Sequence, residues 1–272
     1  MPNLKMTGER VVPGDIRSLE EHVQLLRHIF VYEHVKTLLK PDDVVIEVGF
    51  GEGYGTRLLS EACGNIVGMD VDKKIVAYAN TRYGSAKCSF KIYDGAHLPY
   101  PDNYFDAAIS FQVIEHIEDD AAFVAEIHRV LKAGGYLYLT TPNRATRLKP
   151  GQKPWNRFHK REYYPYELKA VLNCSFQETA VYGISATEEI HHIEAARFRQ
   201  GFLLSLALKL GLRHLLPKSA DPALARLRGK LGGRNNKAEF EGEKDRFTLA
   251  DFRVEENDVE HSLDLFGICI KS

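Results

Sequence analysis

The sequence predicts an α/β chain built on a doubly wound, mostly parallel sheet of seven strands, with a helical cap inserted before the last strand. Two observations carry this expectation. Between residues 43 and 142, five short β-branched runs alternate with helical patterns, the spacing of parallel βαβ units. After residue 186 the chain leaves that pattern for about sixty residues and returns in one apolar run, Leu263–Ile270.

The elements read off in order. Leu25, Ile29, Tyr32, Val35 and Leu39 recur at helical spacing and mark an amphipathic helix ending near Pro41. Val44–Val48 is a β-branched strand that stops at glycines, and a helix pattern follows through Leu58 and Leu59. Ile66–Met69 is the second strand, Ile75, Val76, Tyr78 and Ala79 mark the next helix, and Ser89–Tyr93 is the third strand. Ala107–Phe111 is the fourth. The helix presenting Phe123, Ile127, Val130 and Leu131 should stop at Gly134-Gly135, where glycine can adopt a left-handed cap. Tyr136–Thr141 is the fifth strand, closed by Pro142. A helix at Pro165–Leu172 and a strand near Ala180–Tyr182 continue the sheet. The divisions are therefore an amino-terminal arm and helix (1–42), the core (43–185), a cap of two or more helices (186–250) and a final core strand (251–272).

Composition excludes several classes. With 44% hydrophobic and 27% charged residues the chain reads as an ordinary globular protein. Its 36 basic and 37 acidic residues leave a net charge of −1, so no global field pulls it toward DNA or a membrane. Cys63, Cys88, Cys174 and Cys269 lie too far apart for a metal finger and are expected to be reduced and mostly buried. The first residues carry no apolar targeting segment, and the richest apolar run, Gly201–Leu208, breaks at Lys209 before the ~20 residues a membrane span needs. A cytoplasmic location is expected.

Chemistry begins at Glu47-Val48-Gly49-Phe50-Gly51-Glu52-Gly53, where the first strand meets its helix and open α/β sheets bind ligands. The dinucleotide fingerprint G-x-G-x-x-G fails in both registers, because its third glycine falls on Tyr54 or Thr56. The pattern E-x-G-x-G-x-G instead resembles class I methyltransferases that use S-adenosyl-L-methionine, and Glu47 suits the ammonium end of that donor. Asp70, followed by Val71, ends the second strand, where a carboxylate can accept both ribose hydroxyls. Asp94-Gly95-Ala96 ends the third, where an acid can accept the adenine amino hydrogens. Either acid alone could merely cap a helix or turn; in this order and spacing they point to the donor. Phe111, at the end of the fourth strand, completes the expected donor set.

The stretch His97–Asp106 resembles the "LPFPDxSFD" segment of quinone-methyltransferase-like enzymes, the type 11 methyltransferases. This resemblance covers residues 43 to 172 and implies a Rossmann-like sheet with an antiparallel last strand and a first helix acting as a lid. Thr7–Gly14 resembles the "TGERxVP" segment of methyltransferases among bacterial polysaccharide-synthesis enzymes, where Arg10 could reach the donor carboxylate or a substrate. The resemblance implies O-methylation of a sugar or polysaccharide hydroxyl. A quinone, a natural product, an RNA 2′-hydroxyl and a non-catalytic donor-binding module are the alternatives, since one fold hosts many acceptors.

A hydroxyl needs help losing its proton, from a base or a metal. Ser110–His116 lies after the fourth strand, and Thr141-Pro142-Asn143 followed by Trp155–Tyr163 lies after the fifth. This arrangement resembles metal-dependent O-methyltransferases, including the small-RNA terminal 2′-O-methyltransferases, whose E-x-x-E-H motif and a later histidine bind a divalent ion such as Mg2+. Glu115, His116 and His159 match. Gln112 replaces the first Glu, a weaker and uncharged ligand for a hard cation. Without an ion, His116 or His159 could serve as general base. His191 and His192 on the cap, and His22 and His28 on the first helix, read as solvent-facing, although His22 or His28 could touch substrate.

Between Lys209 and Lys237, eight basic residues (Lys209, Arg213, Lys218, Arg226, Arg228, Lys230, Arg234, Lys237) face one acid, Asp221, before Glu239, Glu241, Glu243 and Asp245 reverse the sign. This reads as a solvated face, or as a docking face through Phe202–Leu216 for a membrane surface or an anionic acceptor. The segment lacks interleaved aromatics for base stacking, which argues against RNA.

Overall fold

The computed structural model describes residues 13, 16, 18–149, 151–154, 156, 158–209 and 242–272. Arg10 with its surrounding motif, Trp155 and Arg157, and the basic segment from residue 210 to Lys237 lie outside the described residues.

Seven α-helices and eight strands are described: α1 Leu19–Lys36, β1 Val44–Val48, α2 Tyr54–Leu59, β2 Asn65–Asp70, α3 Lys73–Tyr83, β3 Cys88–Ile92, β4 Phe105–Phe111, α4 Asp120–Val130, β5 Leu131–Pro142, α5 Arg144–Arg147, α6 Pro165–Leu172, β6 Glu178–Ala186, α7 Glu188–Lys209, β7 Phe252–Glu255 and β8 Asp264–Ile270. One sheet joins the strands in the order β3-β2-β1-β4-β5-β8-β6-β7. The strands β1 to β5 pair in parallel. The last strand runs antiparallel between β5 and β6, as the family resemblance implied. The sheet has eight strands rather than seven, because Phe252–Glu255 adds an edge by pairing with Gly183–Ala186.

Helices on both faces explain why the inner strands read as continuous apolar runs. Alternate residues of β1 serve opposite layers: Ile46 and Val48 pack with Phe123, Ile127, Leu168 and Leu172 of α4 and α6, while Val45 packs with Val31, Val35, Leu59 and Ile75 of α1, α2 and α3. Each such fully buried side chain contributes ~1.5–3 kcal/mol. A third cluster, with Val23, Ile190, Phe252 and Leu263, ties α1 to α7 and the β7 edge.

Two boundaries differ from expectation. The first helix starts at Leu19, with the Ser18 hydroxyl capping Glu21 N at 3.3 Å, and ends at Lys36, short of Pro41. The fourth helix ends at Val130, not at the glycine pair, because Leu131 is already extended (φ −73°, ψ 143°) and pairs with Phe105. Gly134 (φ 76°) serves a bulged excursion of β5 between Leu131 and Tyr136. The cap segment contributes α7, one long helix, among the described residues. Cys63, Cys88 and Cys269 are buried, Cys174 is exposed, and all four are free thiols. Among the described residues no helix is long and apolar enough to cross a membrane.

Candidate functional site

After β1 the chain turns through three left-handed glycines, Gly49 (φ 80°), Gly51 (φ 62°) and Gly53 (φ 97°). At Gly49 a Cβ would come within 2.4 Å of Val113 Cγ2, so both the conformation and the close approach of the β4 loop require glycine. The turn forms one wall of a cavity of about 330 Å³ at the carboxyl ends of the strands. Asp70 and Val71 line it from the end of β2, Tyr93 and Gly95 from the segment after β3, Phe111 from the end of β4, and Gln112, Val113 and His116 from the segment that follows. Helix α1 closes it with His28 and Tyr32. The volume falls in the range of small-molecule sites, ~300–1,000 Å³.

The expected donor residues divide. Gly49, Gly51, Asp70, Val71, Gly95 and Phe111 all line the cavity. Glu47 lies beneath it, 0% exposed. Its Oε1 accepts a 2.6 Å bond from the Tyr32 hydroxyl and its Oε2 accepts from the Thr56 hydroxyl, so it anchors α1 and α2 to the sheet. Burial pushes the Glu47 carboxyl up to about 7, against these two bonds. Asp94 is exposed, and its Oδ1 accepts from the Ala96 and His97 amides at 2.8 and 2.7 Å, which lowers its pKa. It closes a turn, with Ala96 as one donor, and its neighbours Tyr93 and Gly95 face the cavity. Gly53 is the left-handed residue at the start of α2.

Several cavity residues were not in the expected set, among them Glu52, Tyr32 and His28. Glu52 is buried and held by the hydroxyls of Tyr78 (2.6 Å) and Tyr83 (2.7 Å) on α3. Tyr32 was legible only as a core position of an amphipathic helix. His28 was expected in solvent but lines the cavity, where burial and the guanidinium groups of Arg27 and Arg197 lower it to about 3, keeping the ring neutral. On the cap, His191 is also half-buried, within 3.0 Å of Ser185 Oγ, while His192 is exposed.

After β4 and β5 the structure gathers Glu115, His116 and His159: one ligand atom from each lies within 4.8 Å of the others. Glu115 is 1% exposed, accepts from Thr141 Oγ1 at 3.0 Å, and is raised by burial to about 8. The amide of Lys160 donates to the Glu115 carbonyl at 2.7 Å, which joins the His159 segment to the β4 loop. His116 Nδ1 is 3.1 Å from the Phe158 carbonyl. A carbonyl only accepts, so Nδ1 is the donor here, and Nε2 lies 3.9 Å from Glu115 Oε1. His159 Nδ1 lies 2.8 Å from Glu162 Oε1, the same arrangement with a carboxylate. The two rings meet edge to face, 4.9 Å apart. Gln112, the fourth expected ligand, lines the same cavity with a strained backbone (φ 58°) and its amide 3.4 Å from Thr140 Oγ1. Such a group could hold a divalent cation or accept a proton.

Comparisons with known proteins agree with this architecture. A family model described as a methyltransferase domain matches residues 46–139. A probable S-adenosylmethionine-dependent methyltransferase of Mycolicibacterium smegmatis is 38% identical over 190 residues, which cover 70% of this chain and 69% of that one. Phosphoethanolamine N-methyltransferase 3 of Arabidopsis thaliana is 34% identical over 140 residues, 50% of this chain and 26% of that protein. Among solved structures, a Thermotoga maritima methyltransferase, described as a possible histamine N-methyltransferase, superposes with a TM-score of 0.58 at 18% identity over 92% of both chains. At that identity the likeness shows the fold. The glycine turn, its cavity and the mycobacterial relative together place the chain in its family: it is a member of the S-adenosylmethionine-dependent methyltransferases.

Proposed function

We propose that the enzyme methylates a hydroxyl of a sugar or polysaccharide, assisted by a divalent cation on Glu115, His116 and His159. The observation that carries this reading is the cluster itself, a buried carboxylate and two imidazoles beside the donor cavity. An amine acceptor becomes nucleophilic by losing one proton to water, whereas an alcohol needs its pKa lowered or a base at hand. The donor supplies an electrophilic methyl: its C–S bond breaks as the C–O bond forms, the sulfur leaves as a neutral thioether, and the hydroxyl proton passes to water. Asp70 suits the ribose hydroxyls, and the Gly49–Gly53 turn lets the backbone approach the donor closely. The sugar as acceptor rests on the resemblance of the amino-terminal motif to polysaccharide-synthesis enzymes.

The cluster fits a cation. An octahedral ion with bonds of ~2.1 Å places neighbouring ligand atoms ~3.0 Å and opposite ones ~4.2 Å apart, so ligand atoms lying within 4.8 Å of one another would draw inward to hold it. Two imidazoles favour Mn2+, Fe2+ or Zn2+ over the Mg2+ that the resemblance implied. Bound there, a cation would supply Lewis acidity to the acceptor oxygen. The test is transfer of label from S-adenosylmethionine to a panel of saccharides, with EDTA and with Mn2+ added back. Label on a saccharide, lost with EDTA and restored by Mn2+, is expected. Turnover indifferent to EDTA removes the cation, and label on RNA alone removes the sugar.

A further inference from the structure

Behind His159 lies a chain of buried charges that the transfer chemistry does not use. Glu162, itself buried, offers Oε1 to His159 Nδ1 at 2.8 Å, and its Oε2 lies 3.3 Å from Arg147 Nε of α5. The Arg147 guanidinium sits 4.6 Å above the ring of Phe198 on α7. Arg197 also lies over that ring, at 5.0 Å, and bonds Glu194 at 2.7 Å. None of these groups lines the donor cavity.

An imidazole bonded at neither nitrogen can rotate and exchange tautomers. A carboxylate on Nδ1 removes both freedoms and leaves Nε2 as the bare nitrogen. Glu162 can do this only while its charge is tolerated in the interior, and Arg147 supplies the opposing charge. Arg147 is in turn held flat by Phe198, so the cap helix reaches the cluster through three side chains.

We propose that Glu162 and Arg147 are positioning residues of the cation site: Glu162 fixes the tautomer and orientation of His159, and Arg147, clamped on Phe198 of α7, fixes Glu162. The proposal rests on the cation reading above. It differs from a purely structural ion pair in what it predicts.

The test is Mn2+ binding to the full chain by isothermal titration, for wild type, Glu162→Gln and Arg147→Met, with S-adenosylmethionine titrated in parallel. Loss of the carboxylate is expected to weaken Mn2+ binding by about 10- to 100-fold, as outer partners of metal-bound histidines do. Arg147→Met is expected to weaken it in the same direction. Donor affinity should stay at the wild-type value in both. If wild type binds no Mn2+, the cation reading fails and takes this proposal with it. If wild type and Glu162→Gln bind Mn2+ equally, the cation reading stands and this proposal is overturned. A second measurement needs no variant: nitrogen NMR of the metal-free wild type should find His159 protonated at Nδ1. Predominant protonation at Nε2 would overturn the proposal even if Glu162→Gln did not fold.

Discussion

Tyr32→Phe removes one hydroxyl and keeps a ring that packs against Phe111 (5.0 Å) and Tyr54 (5.7 Å). What it deletes is the 2.6 Å bond to Glu47, a carboxyl without solvent contact. A hydrogen bond to a charged group is worth ~1.5–3 kcal/mol and to a neutral one ~0.5–1.5 kcal/mol. Glu47 titrates near 7, so its charge, and hence the cost of the substitution, changes across neutral pH.

The sign is fixed by the direction of the shift. The folded Glu47 carboxyl lies at about 7, above the ordinary value of 4.5. Its contribution to stability is therefore fully present below the ordinary value and is lost as pH rises through 7, a span of roughly 3 kcal/mol. The Tyr32 bond lowers the Glu47 pKa, so removing it raises that pKa further and deepens the loss. Urea unfolding of wild type and variant at about pH 5.5 and about pH 8.5 measures this, with the midpoint moving and the slope unchanged. The destabilisation should be greater at the higher pH by ~1 kcal/mol. Equal destabilisation at both, or a greater effect in acid, would refute the reasoning.

Three further substitutions test other parts of the site. Asp70→Asn should weaken S-adenosylmethionine binding by about 10- to 100-fold in calorimetry, the loss of a charged hydrogen bond, while the melting temperature barely moves. Gly49→Ala combines a left-handed backbone with a 2.4 Å approach to Val113 and should destabilise by ~1–3 kcal/mol. Adding Val113→Ala should recover only the steric part, and a double mutant as unstable as the sum would show that no clash existed. Arg27→Met leaves Glu194 and Asp264 buried without their partner at 3.0 Å and should cost ~3–5 kcal/mol in urea unfolding; a loss below ~1 kcal/mol would mean the network is solvated.

The parallel half of the sheet was legible because its strands are buried on both faces and leave an apolar run with little alternation. Phe252–Glu255 was not, since a four-residue edge carrying Arg253 and Glu255, with only Phe252 fully buried, exists only by pairing with β6. The glycine pair at Gly134-Gly135 misled for a related reason: a left-handed glycine signals a sharp turn, and sequence does not say whether a helix or a strand makes it. At the site, Glu115 and His116 were legible from the segment after the fourth strand and His159 from the one after the fifth, both through the resemblance to metal-dependent enzymes. Asp94 reads identically whether it binds a ligand or closes a turn; its Oδ1 closes a turn beside the cavity. His28 and Tyr32 were hidden in the face of an ordinary helix, because only the closure of α1 over the sheet turns that face into a cavity wall.

The least legible feature is the charged interior. Arg27, Arg147, Glu162, Glu194 and Asp264 come from α1, α5, the loop before α6, α7 and β8, and sequence statistics assign such residues to the surface. Each would be intolerable alone in that interior, and their burial makes sense only as a mutually neutralising set. Hydrophobic side chains of the same volume would stabilise the fold as well or better, so stability by itself does not explain the set. What the charges add is position. Arg27 holds Glu194 at 3.0 Å, Glu194 holds Arg197, and Arg197 and Arg147 share the Phe198 ring, from which Arg147 reaches Glu162 and so His159. If that chain sets the geometry of the cluster, Arg27→Met should weaken Mn2+ binding as well as stability, although Arg27 is remote from the ligands along this chain of contacts. Asp70→Asn should affect the donor alone. Asp70→Asn, in the cavity wall, and Arg27→Met, in the buried charge network, thus test the two parts separately.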